Sequence, residues 1–124
     1  MRCMIKSKIH RAIVTDGNLN YNGSITIGKE LMRAANILPF EYVHINNLSN
    51  AAHWETYAIP GNEGEIILNG PPSRLFQKDD KVVILSFSYL ADQFCRDFDH
   101  TNVFVDHHNT ITEIVVDNNK DWPA

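Results

Sequence analysis

The pattern of apolar and polar positions predicts many short strands and one good helix. Residues 3–14 alternate as an extended strand does, with Ile5, Ile9 and Ile13 on one face and Lys6, Lys8 and His10 on the other. The segment Thr15-Asp16-Gly17-Asn18-Leu19-Asn20-Tyr21-Asn22-Gly23-Ser24 is dense in Asn, Asp and Gly, which tolerate tight turns, and reads as a loop or hairpin connection. Ser24–Ile27 is a short strand. Lys29–Leu38 carries Leu31, Ala34, Ala35 and Leu38 at helical spacing, with Pro39 as its stop. Strands follow at Tyr42–Leu48, His53–Ile59, Glu65–Leu68 and Lys81–Tyr89, the last apolar throughout from Val82 to Leu85. Turns fall at residues 60–64 and at Asn69-Gly70-Pro71-Pro72. Ser73–Phe76 fits one helical turn, Leu90–Asp97 a short helix, and Val103–Val105 and Ile111–Val116 two more strands before a polar tail. The whole is a mainly β domain spanning residues 1–124, with no linker or repeat, and the strand spacing favours a small barrel.

Composition narrows the functions open to such a domain. The chain has 124 residues, 11 Lys and Arg against 15 Asp and Glu, and a formal charge of −4. That balance argues against nucleic acid or an anionic membrane as the partner, since both need a basic face. No apolar run has the length of a membrane span, and the opening residues lack a signal-like apolar stretch. Cys3 and Cys95 stand far apart with no metal or redox spacing, as suits two reduced thiols in the cytoplasm.

Ordinary catalytic motifs are thin. The six His include Asp99-His100 and Asp106-His107-His108, but adjacent His107 and His108 point to opposite faces of a strand and no zinc-site spacing occurs, so no metal is expected. A nucleophile elbow is missing, and Gly61-x-x-Gly64 is too short for a phosphate cradle.

One constellation stands apart. Met4-Ile5-Lys6-Ser7-Lys8-Ile9-His10-Arg11-Ala12 precedes Tyr21-x-Gly23-Ser24-x-Thr26-Ile27, and then come Thr56-Tyr57-Ala58-Ile59, Ile66-x-x-Asn69-Gly70 and Asp79-x-x-Val82-x-Ile84. Each block is weak alone; in this order, over roughly residues 1–110, they resemble the pyruvoyl-dependent aspartate 1-decarboxylases. The resemblance implies a double-psi β-barrel with short helices, a homotetramer, and self-cleavage between Gly23 and Ser24 into residues 1–23 and 24–124. It implies that Ser24 becomes a covalent pyruvoyl group, which forms a Schiff base with L-aspartate and yields β-alanine and CO2 for pantothenate and coenzyme A synthesis. Amino-acid decarboxylation needs an electron sink that no side chain supplies, and a ketoacyl group is one. Gly23, without a Cβ, leaves its carbonyl open to attack. By the same resemblance Thr56 polarises that carbonyl, Tyr57 returns a proton to the carbanion, Lys8 contacts the substrate carboxylate, and His10, Tyr21 and Asn69 line the site with Gly70.

The chain departs from the family in the carboxylate pocket. The family carries an Arg three residues before the threonine, in a Gly-x-Arg-x-x-Thr-Tyr setting; here His53 stands there, a shorter and pH-dependent partner. After Asn69-Gly70 the family has alanines whose backbone donors face the substrate, whereas Pro71 and Pro72 have no N–H. Residues 90–108 also differ. The alternatives are a pyruvoyl decarboxylase for a different small amino acid and a non-catalytic paralogue of the same fold.

Overall fold

Strand β1 (Arg2–Ile13) is the long spine of a nine-stranded mixed sheet. The structure is a computed structural model and describes residues 1–19 and 23–123; Tyr21 lies outside the described residues. In chain order follow β2 (Asp16–Asn18), β3 (Ser24–Gly28), α1 (Lys29–Ala34), β4 (Tyr42–Asn47), β5 (His53–Gly61), β6 (Ile66–Asn69), β7 (Lys81–Leu90), β8 (Asp99–Val105) and β9 (Ile111–Asn118). The spatial order is β2-β6-β3-β5-β4-β7-β1-β8-β9. Pairing is parallel for β1–β8, β2–β6 and β3–β5 and antiparallel elsewhere. This mainly β arrangement with short helices agrees with the expected double-psi barrel.

One face of the curved sheet encloses the core. Ile9, Ile25, Ile27, Val43, Ile45, Ala58, Leu68, Val82 and Ile84 are all fully buried in a single cluster with Leu31 of α1 and Phe76. Truncating such a residue to Ala costs about 2–5 kcal/mol. Two bulges in β1, between Ile5 and Ser7 and between Ile9 and Ala12, reset the alternation against β7. Ala12 and Val14 therefore fill the core where strict alternation predicts Ile13, and Arg11 takes φ 63° at the second bulge. Beyond β1 the chain crosses to the other half of the sheet: Val14 exchanges backbone hydrogen bonds with Asp79 and Asp80, and Thr15 bonds Ile66 through backbone and hydroxyl. Among the described residues, no buried side-chain nitrogen or oxygen lacks a partner.

The helices are shorter than the sequence predicts. Helix α1 ends at Ala34 rather than Leu38 because Asn36, at φ 54°, closes it: Asn36 N–H donates to Arg33 O (3.2 Å) and Ile37 N–H to Met32 O (2.8 Å). Ile37 then turns into the core and Leu38 is exposed. The expected helix over residues 90–97 is a single 3-10 turn, Asp92–Phe94, and the turn expected at 73–76 starts earlier, at Pro71–Arg74, where proline's fixed φ suits a first helical position. Strand β5 runs on to Gly61, leaving a shorter turn, and β2 forms inside the expected loop. Strand β8 begins at Asp99, earlier than expected.

Candidate active site

Ser24 opens β3 and is fully buried. Its β6 partner is Asn69, whose side-chain N–H2 donates to both Ser24 Oγ and Thr26 Oγ1, each at 3.0 Å. Asn69 itself is nearly buried and pairs on its other side with Asn18 of β2. Those bonds leave the Ser24 hydroxyl hydrogen free to point elsewhere, since the oxygen is already the acceptor. A Cβ built on Gly23 would meet nothing within 4 Å, so there is open space beside the Cα that precedes Ser24.

The β3–β5 register places the other predicted residues. Ile25 is level with Ala58, and both are buried. Carried one residue back, the same parallel register sets Tyr57 alongside Ser24; carried two back, it sets Thr56 alongside Gly23. Side chains alternate along a strand, so Tyr57 shares the outer face with Ser24, whereas Thr56 shares the inward face with Ala58. A row Asn18–Asn69–Ser24–Tyr57–Tyr42 thus crosses five strands, its last pair opposed across β4 and β5.

The next outer-face row contains Lys8. Glu55 pairs with His44, His44 with Leu85, Leu85 with Lys8, and Lys8 with Asn102. Lys6, by contrast, is tied to Glu41 (2.7 Å) and to Asn36 O (2.6 Å), whereas Lys8, like Arg11, makes no side-chain hydrogen bond or ion pair among the described residues. His10 stacks edge-on against Phe104, with ring centroids 5.6 Å apart. Burial, then the charges of Lys8 and Arg11, hold its imidazole below the ordinary histidine range.

His53 is not an open carboxylate receptor. Its Nδ1 lies 2.6 Å from Asn46 Oδ1 and its Nε2 lies 3.0 Å from Glu55 Oε2, so a carboxylate of the protein already occupies the position facing it. Tyr42 OH donates to Glu55 Oε1, and His44 Nε2 stands 3.2 Å from that hydroxyl. The bond to Glu55 pushes the Tyr42 phenol up to about 12, and the bonds from Tyr42 and His53 hold Glu55 below the usual carboxylate range. Sequence reasoning did not find Tyr42, His44, Asn46 or Glu55; the signal was the polar spacing i, i+2, i+4 on β4 facing the same spacing on β5.

Pro71 and Pro72 have the consequence expected of them. Gly70, at φ 82°, spends its N–H on Asn18 O (2.7 Å), the prolines have none, and Ser73 N–H returns to Gly70 O (3.0 Å). Residues 70–73 therefore have no backbone donor left over for a ligand. Gly70 and Pro72 are buried and Pro71 is exposed. The loop histidines do not converge: His107 and His108 stack on each other at 4.0 Å, and Asp106 instead accepts the backbone N–H groups of His108 and Thr110.

A buried serine that follows a glycine with open space beside it, bonded by a donor amide and level with a tyrosine on the next strand of a barrel wall, defines a small β-barrel protein with its candidate chemistry at a backbone junction. The model of the family described as aspartate decarboxylase matches residues 1–112. An aspartate 1-decarboxylase of Syntrophomonas wolfei is 52% identical over 116 residues, covering 92% of this chain and 98% of its own. Those of Thermoanaerobacter pseudethanolicus (49%, covering 87% and 94%) and Dehalococcoides mccartyi (47%, covering 90% and 91%) are similar. The chain belongs to the aspartate decarboxylase family.

Proposed function

We propose that the protein is a pyruvoyl-dependent aspartate 1-decarboxylase that converts L-aspartate to β-alanine and CO2. The observation that carries the reading is the Gly23-Ser24 junction in a chain about half identical to such enzymes over most of its length. The Ser24 hydroxyl attacks the Gly23 carbonyl carbon while the Thr56 hydroxyl donates to the carbonyl oxygen. The acyl group moves from nitrogen to oxygen, and elimination frees residues 1–23 with a carboxyl end. Water then replaces the nitrogen at position 24 as ammonia, leaving residues 24–124 with an N-terminal pyruvoyl group. Burial of Ser24, its bond from Asn69 and the open space at Gly23 fit that group.

The pyruvoyl group supplies the electron sink for the electrons released with CO2. The chain's own residues do the rest. Lys8 holds a substrate carboxylate, and the hydroxyl of Tyr57, level with Ser24, gives the proton to the carbon that lost CO2. Asn69 fixes the site at position 24, and His10 and Gly70 line it.

The face that carries Tyr57 also exposes Phe40 and Tyr42 and continues into Leu85 and Phe87, a surface that a second copy covers in a homotetramer. Both cysteines are free, as suits the cytoplasm. No helix among the described residues is long and apolar enough to cross a membrane. CO2 release from a panel of amino acids tests the substrate: aspartate leads the panel on this reading, and release from another amino acid alone contradicts it.

A further inference from the structure

We infer that His44, His53 and Glu55 form a binding site for a divalent transition-metal ion of the zinc class. The three side chains are fixed by strand register: His44 and Glu55 are cross-strand partners, and His53 lies two residues before Glu55 on the same face. One ligand atom from each lies within 4.8 Å of the others. His53 Nε2 is 3.0 Å from Glu55 Oε2, close to the roughly 3.3 Å between neighbouring ligands around a tetrahedral ion with bonds of about 2.0–2.1 Å, and His44 Nε2 approaches the other oxygen of the same carboxylate at 3.5 Å. Two imidazoles and one carboxylate are the donor set that borderline ions prefer, and three protein ligands leave a fourth position for water.

The surrounding residues aim these ligands. Asn46 Oδ1 stands 2.6 Å from His53 Nδ1 and fixes the ring so that Nε2 faces Glu55 Oε2. Tyr42 takes up Glu55 Oε1 and leaves Oε2 turned toward His53. Phe87 packs edge-on against His44, ring centroids 4.5 Å apart, and holds its ring over the site. Each ligand therefore has a neighbour that orients it, as in built metal sites. A divalent ion would offset the negative charge that Glu55 brings to the cluster. The metal site and its test do not depend on the decarboxylase reading.

The test is a titration of the chelator-stripped full-length protein with Co²⁺, followed by its visible absorption, with Zn²⁺ as competitor. The expected result is one Co²⁺ per chain displaced by Zn²⁺, affinity lowered at least about tenfold by His53→Gln, by Glu55→Gln and by Asn46→Ala, and loss of the site in the double variant His44→Gln, His53→Gln. The control His107→Gln, His108→Gln leaves binding unchanged. All of these side chains are at least partly exposed, so the variants keep the core intact. Absence of saturable binding, or binding that survives the His44→Gln, His53→Gln change, overturns the proposal.

Discussion

The Gly23-Ser24 junction and the β4–β5 face adjoin on the same side of the barrel, yet they are built by opposite means. At the junction, Ser24 is fully buried and held by an amide that is itself nearly buried, Asn69, and the strand ladder sets every neighbour. On the face, His53 and Glu55 are exposed and are held by one another and by Asn46 and Tyr42. Buried polar groups are intolerant of exchange, because a lost partner leaves a desolvated atom unpaired; exposed ones can be replaced at little cost in stability. The difference explains how one chain keeps the family's junction while presenting His53 where the family has an arginine.

The junction gives the largest expected effects. Ser24→Ala removes the attacking hydroxyl; mass spectrometry should find only the uncleaved chain, with no CO2 release from aspartate. Fragments in that variant would place the scissile bond elsewhere. Tyr57→Phe should leave cleavage complete and lower kcat by about 10²–10⁴-fold, the usual contribution of a placed proton donor. An unchanged kcat would remove Tyr57 from that role. Asn69→Ala strands two hydroxyl oxygens, Ser24 Oγ and Thr26 Oγ1. It should slow fragment formation and lower stability by roughly 1–3 kcal/mol in a denaturant titration. A normal cleavage rate would mean that the amide only packs.

The face gives a smaller and opposite effect. With metal removed by a chelator, His53→Arg should raise kcat/KM on aspartate by about tenfold, because a guanidinium grips a carboxylate through two hydrogen bonds while Glu55 engages the histidine. No gain would show that the prolines, rather than residue 53, limit the pocket.

Most strands were legible because alternation and β-branched runs report directly on a barrel wall. Lys81–Leu90 and Tyr42–Asn47 fell within a residue of expectation. What escaped depended on backbone events that leave faint marks. Asn36 closes α1 two residues after its last helical residue through two backbone bonds, whereas Pro39 looked like the stop. The bulges in β1 put Ala12 and not Ile13 into the core, which no periodicity reveals. Lys8, Ser24, Thr56, Tyr57 and Asn69 could be chosen in advance only as an ordered set resembling a family. The placing of Asn69, Tyr57 and Thr56 about the junction required the β3–β6 and β3–β5 registers, and Lys8 stands four strands from Ser24 on β1. The His44–His53–Glu55 cluster stayed hidden because its members come from two strands whose pairing is settled only in three dimensions.

The central claim is that this chain makes its reactive group from its own backbone at Gly23-Ser24. Intact-mass analysis of the purified wild-type protein tests it most directly. The account predicts two species, residues 1–23 and residues 24–124, the larger having its first residue converted from serine to pyruvoyl. A single uncleaved 124-residue species that persists through prolonged incubation would contradict it.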